Sequence, residues 1–143
     1  MKKIFILLLT LLFIQCSDNE DCFTPPESFR FSLIDSETGE NLITNNTYNS
    51  NEVQLFKNNI LETSELRFIN ENNINFFTIS GFGWQTEIVN YEIRTGENIL
   101  FKLFINVERI NGKCTYTKIN DLKIENAIFE IDSETGIYKI KIE

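Results

Sequence analysis

The sequence predicts an all-β protein built as a single antiparallel two-sheet β-sandwich, and three observations predict it. Apolar and polar residues alternate with period two, as where Phe29, Phe31 and Leu33 interleave with Ser28, Arg30 and Ser32. Turn-forming clusters separate these segments at short intervals, with Asp-Ser-Glu-Thr-Gly at 35–39 and again at 132–136. No segment keeps a helical period, and proline is absent after Pro26. Together these give about nine short strands joined by tight turns.

Domain organisation follows from length and composition. The chain divides into an apolar leader at 1–15, an acidic tether at 16–28 stiffened by Pro25-Pro26, and one β-sandwich domain at 29–143. The 128 residues from Cys16 onward suffice for one domain with a core and are too few for two. With 42% hydrophobic and 24% charged residues the chain is not a disordered one.

The strands read off in order. After the strand at 29–34, Asp35 can hydrogen-bond the backbone locally and Gly39 supplies a positive φ. Leu42-Ile43 and 53–56 follow as short strands around the Asn-rich loop 44–51. Segments 65–69 and 74–79 flank Asn70-Glu71-Asn72-Asn73, a connection of hairpin length, and are expected to pair antiparallel. In 86–94, Ile88 is grouped with Tyr91 and Ile93 around a register irregularity. Thr95-Gly96-Glu97-Asn98 then turns into 99–107, with Ile99, Phe101, Leu103, Ile105 and Val107 on one face. Asn111-Gly112 is the strongest hairpin signal, because both residues tolerate the positive φ of a type I′ turn. It leads into the strand carrying Cys114, Tyr116 and Thr117. Leu122 and Ile124 precede Ala127, Phe129 and Ile131, and the second Asp-Ser-Glu-Thr-Gly turn leads into Tyr138, Ile140 and Ile142. Lys139, Lys141 and Glu143 on the opposite face would protect a terminal strand from edge-to-edge association.

The leader carries the address. Lys2 and Lys3 precede an apolar run at 4–14 interrupted by Thr10, which is the layout of a secretory signal. As a helix these 11 residues would span roughly 16 Å, about half of a hydrocarbon core of about 30 Å. Ending at Cys16, the run resembles the signal of bacterial lipoproteins, which implies lipidation of Cys16, removal of 1–15 and attachment to a membrane through the lipid. Phe13 and Gln15 depart from that pattern, in which leucine stands three places before the cysteine and a small residue just before it. Ser17-Asp18-Asn19-Glu20-Asp21 resembles the acidic export signal of Bacteroidota-type surface lipoproteins. That implies the outer membrane with the domain facing the cell exterior; the alternatives are a periplasm-facing domain or an acidic spacer repelled by anionic head groups.

Cys22 and Cys114 then remain, and in an oxidising compartment a bridge between them is the natural reading, two free thiols being the alternative. Such a bridge closes a loop of about 90 residues, roughly 4 to 5 kcal/mol on chain-entropy grounds. The chain has no histidine, and two thiols alone do not make a structural zinc site.

The opening Phe29-Arg30-Phe31-Ser32-Leu33-Ile34-Asp35, with Thr38-Gly39-Glu40-Asn41-Leu42, resembles the start of transthyretin-like and related Ig-like sandwiches. Taken whole, the chain resembles small Bacteroidota lipoproteins of unassigned function, a resemblance that carries no catalytic motif.

Function is legible mainly by exclusion. Without the leader, 11 basic residues face 21 acidic ones, a balance unsuited to nucleic acid. No histidine and no unassigned cysteine leave neither the usual base nor a thiol nucleophile, so no catalytic residue, cofactor or metal ligand is assigned. Calcium at Asp35 and Glu37, or at Asp132 and Glu134, is the sharper reading of the repeated turns, but neither segment alone supplies six to eight oxygens. Ser80-Gly81-Phe82-Gly83-Trp84-Gln85 holds the one tryptophan. Trp84 and Phe82 are the candidate contacts to a protein or glycan partner, unless a β-bulge tucks Trp84 into the core. The expected function is a non-catalytic, lipid-anchored binding module. The alternatives are a carrier with an apolar cavity between its sheets, or a hydrolase using paired carboxylates.

Overall fold

A computed structural model describes residues 22–71 and 74–143. The leader 1–15, Cys16, the acidic stretch 17–21 and Asn72-Asn73 of the expected hairpin connection lie outside the described residues. Among the described residues the elements are all strands: β1 (Cys22–Phe23), β2 (Phe29–Asp35), β3 (Val53–Lys57), β4 (Ile60–Glu62), β5 (Leu66–Glu71), β6 (Ile74–Ile79), β7 (Glu87–Thr95), β8 (Asn98–Ile110), β9 (Cys114–Glu125), β10 (Ile128–Ile131) and β11 (Tyr138–Ile142). One sheet runs β1-β9-β8-β7-β3-β4 and the other β10-β11-β2-β6-β5.

The two sheets form the expected sandwich because period-two alternation gives each an apolar face. Phe31, Leu33, Phe77, Ile79 and Ile140 from one sheet meet Leu55, Tyr91, Ile93, Phe101, Leu103 and Ile105 from the other, all buried. Phe31 lies at the centre, its ring centroid 5.7 Å from that of Phe77, 5.4 Å from that of Phe101 and 5.4 Å from that of Tyr138. Aromatic side chains thus occupy the space between the sheets.

Two pairings are parallel, in a sandwich expected to be antiparallel throughout. β11 runs alongside β2, with Tyr138 opposite Phe31 and Ile142 opposite Asp35, and β1 runs alongside β9. Alternation sets which face is buried but not strand direction, and these partners are too distant in sequence for a turn to reveal it. β11 is therefore an inner strand and β10 the edge. Lys139 and Lys141 serve ion pairs with Asp132 at 2.8 Å and Glu130 at 3.1 Å rather than guarding an edge.

Local departures have local causes. Val89, not Ile88, joins Tyr91 and Ile93 on the inner face, and Ile88 points outward. A register shift between Ile93 and Arg94 places Ile99 opposite Arg94 and Phe101 opposite Ile93, so Leu100 is the extra residue and is buried while Ile99 is exposed. Leu42-Ile43 forms no strand; one bridge, Ile34 to Asn41, and a series of Asx turns hold that segment. The β8–β9 hairpin exists, but neither Asn111 nor Gly112 adopts a positive φ. The β8–β9 ladder ends at Ile110 opposite Tyr116, so the connection is 111–115 rather than a two-residue turn, and Cys114 and Thr115 pair with β1 on the other edge of β9. The two-residue turn with positive φ at both positions is Asn58-Asn59 (52° and 64°), closing β3 onto the unexpected β4.

Candidate functional site: an aromatic patch beside the disulfide

Cys22 and Cys114 are bonded across 92 residues of sequence, with Cα atoms 4.4 Å apart. The bridge places Cys22 opposite Cys114 and Phe23 opposite Thr115. The N–H of Thr24 donates to the carbonyl of Thr115 at 2.9 Å. A two-residue strand has little apolar surface of its own to hold it, so the covalent link fixes β1.

Beside β1 lies the loop 80–86, which connects β6 to β7 and contains both residues singled out from the sequence. They separate sharply. Phe82 is fully buried and stacks on Phe29 with ring centroids 5.4 Å apart, so it is a core residue and not a contact. Trp84 is 58% exposed and stacks on Phe23, itself 56% exposed, with centroids 6.1 Å apart. The Arg109 guanidinium lies 5.0 Å from the Phe23 ring centroid. Phe23 and Arg109 were not predicted from the sequence. Phe23 sits outside any alternating segment, and Arg109 takes its role from the register of β8 on β9.

The loop is held by several hydrogen bonds. Gly83 N–H donates to Glu87 Oε1 at 2.8 Å, and the Gly83 carbonyl accepts from Thr117 Oγ1 at 2.6 Å. Arg109 Nη1 donates to Thr117 Oγ1 at 2.7 Å and to the Thr24 carbonyl at 3.1 Å, joining the loop to the tether. Gly83 has φ +81°, and a Cβ there would lie 2.8 Å from Thr117 Cγ2. Gly81 has φ +92°, and a Cβ there would lie within 2.7 Å of the Glu65 carboxylate.

That carboxylate anchors the far side of the loop. Glu65 accepts from Lys57 Nζ at 3.0 Å and from the buried Tyr91 hydroxyl, and its own carbonyl accepts from Ser80 N–H at 3.0 Å. Burial, then the hydrogen bond to Glu65, push the Tyr91 hydroxyl well above the usual tyrosine range.

The repeated acidic turns are structural. Asp35 Oδ1 accepts from the N–H groups of Glu37 and Thr38 at 3.0 and 2.7 Å, and Asp132 Oδ1 from those of Glu134 and Thr135 at 3.1 and 3.0 Å. Lys139 above all, with the Thr135 and Glu134 N–H groups, holds the Asp132 carboxyl far below the usual carboxylate range. Among the described residues no group of three acidic or cysteine side chains converges as a metal site would. An open notch of about 720 Å³ lies at the opposite end, lined by Tyr48, Asn98, Asn126, Lys141 and their neighbours.

The chain matches no protein-family model, no curated protein and no solved structure.

Proposed function

We propose that the protein is a lipid-anchored, non-catalytic binding module of the outer membrane, displayed towards the cell exterior, whose contact site is Phe23, Trp84 and Arg109. One observation carries the reading. An exposed, braced aromatic pair joins Phe23, on the strand that the disulfide holds, to Trp84 of the neighbouring loop, and Cys22 on that strand follows Cys16 by six residues. Rigid aromatic rings offer large contact area with little side-chain entropy left to lose, which is the usual character of contact hot spots. The apolar leader ending at Cys16 and the acidic run at 17–21 support the anchor and the outward address. The aromatic filling between the sheets favours a contact surface over an internal carrier cavity.

Benzoylphenylalanine placed singly at Trp84 and at Glu97, which is exposed at the opposite end, tests the site in intact cells expressing the full chain. Irradiation should give adducts, whether to protein, glycan or lipid, from position 84 and not from position 97. Equal yields at both positions would overturn the assignment.

A further inference from the structure

We infer that the partner of the Phe23–Trp84–Arg109 patch is the interfacial layer of the bilayer that carries the anchor, so that the sandwich stands on its membrane by this end. The inference rests on the anchored-module reading above and names the partner of its site. Cys22 follows Cys16 by six positions, and a fully extended chain spans at most about 3.6 Å per residue, so β1 stays within roughly 20 Å of a lipid on Cys16. β8 alone is 13 residues long, roughly 40 Å of strand, so the turns 36–39 and 95–98 at the opposite end are held well away from the surface. The near end is the one that carries Phe23 and Trp84 exposed and stacked.

The chemistry of the patch fits an interface. Tryptophan rings favour the headgroup level, where the apolar body is shielded and the indole N–H finds acceptors. Arg109, already pinned over Phe23, sets a cation where phosphates lie. The hydrogen bonds through Gly83, Thr117 and Glu87 present the rings without ordering on contact. A tether of this length holds the patch at an effective concentration on the order of millimolar, so weak individual contacts suffice.

The chain carries one tryptophan, so its fluorescence reads the patch directly. With the disulfide intact, Cys16 is the one free thiol of residues 16–143, and it can be coupled to a maleimide-headgroup lipid in phosphatidylcholine vesicles. On these vesicles Trp84 emission should shift to shorter wavelength, and iodide quenching should fall at least two-fold relative to the uncoupled protein. Lipids brominated high on the acyl chain should quench it. Phe23→Ala should weaken that lipid quenching while leaving the coupling yield unchanged. Unchanged iodide access together with no quenching by brominated lipid would overturn the inference, as would cross-links from position 84 in cells that reach only protein or glycan. Because the coupling is chemical, failure here is distinct from failure of Cys16 to be acylated in the cell.

Discussion

Gly83 carries three constraints at one Cα: a φ of +81°, a hydrogen bond at each of its backbone polar groups, and Thr117 packed where a Cβ would stand. Gly83→Ala should therefore cost roughly 1 to 3 kcal/mol and loosen Trp84, read by urea denaturation and fluorescence anisotropy. Gly39 has a similar φ of +75° with open space around it, so Gly39→Ala should cost only about 1 to 2 kcal/mol of backbone strain and leave the anisotropy unchanged. Tyr91 gives a second test at this scale. Unfolded, it releases its proton near its ordinary value of 10.0, whereas folded it keeps that proton because burial and Glu65 oppose the phenolate. Above pH 10 the unfolded state then binds fewer protons, so the stabilisation, fully present below that pH, is lost as pH rises. Between pH 10 and 11 wild-type stability should fall more steeply than that of Tyr91→Phe, by up to about 1.4 kcal/mol per pH unit. Parallel slopes in denaturant titrations would refute the assignment.

At the scale of elements, β1 is the piece most dependent on chemistry and least on packing. Replacing Cys114 by Ser opens a loop of 92 residues and should cost up to roughly 4 to 5 kcal/mol. It should also release Phe23 from Trp84, visible as a change in Trp84 emission before global unfolding. Denaturant midpoints that match with and without the bridge would contradict this.

Most strands were readable because one of their faces is buried: β2, β3, β8 and β11 all show the apolar alternation that the inner faces require. What escaped was short or directional. β4 has three residues and is made by a turn, Asn58-Asn59, whose left-handed backbone asparagine tolerates without advertising it. The parallel pairing of β2 with β11 leaves no local trace, since side-chain period is the same in both directions. The site was half legible. Glycines around an aromatic marked the loop, but which ring faces inward depended on Phe29 lying beneath Phe82, and the partner ring of Trp84 came from the far side of a disulfide.

Across the whole molecule the two ends differ. One gathers the disulfide, Phe23, Trp84, Arg109 and the Glu65–Tyr91–Lys57 network. The other presents the Asn-rich segment 44–51, the turn 95–98 and the open notch beside Tyr48 and Asn126. Such polarity suits a module held at one end, and it makes Cys16 the residue on which the functional reading turns. Metabolic labelling with a clickable fatty acid, comparing wild type with Cys16→Ala, measures this directly. Anchoring at Cys16 predicts label on the wild-type protein and none on the variant, which should leave the membrane fraction; equal labelling of the two, or none on either, would contradict it.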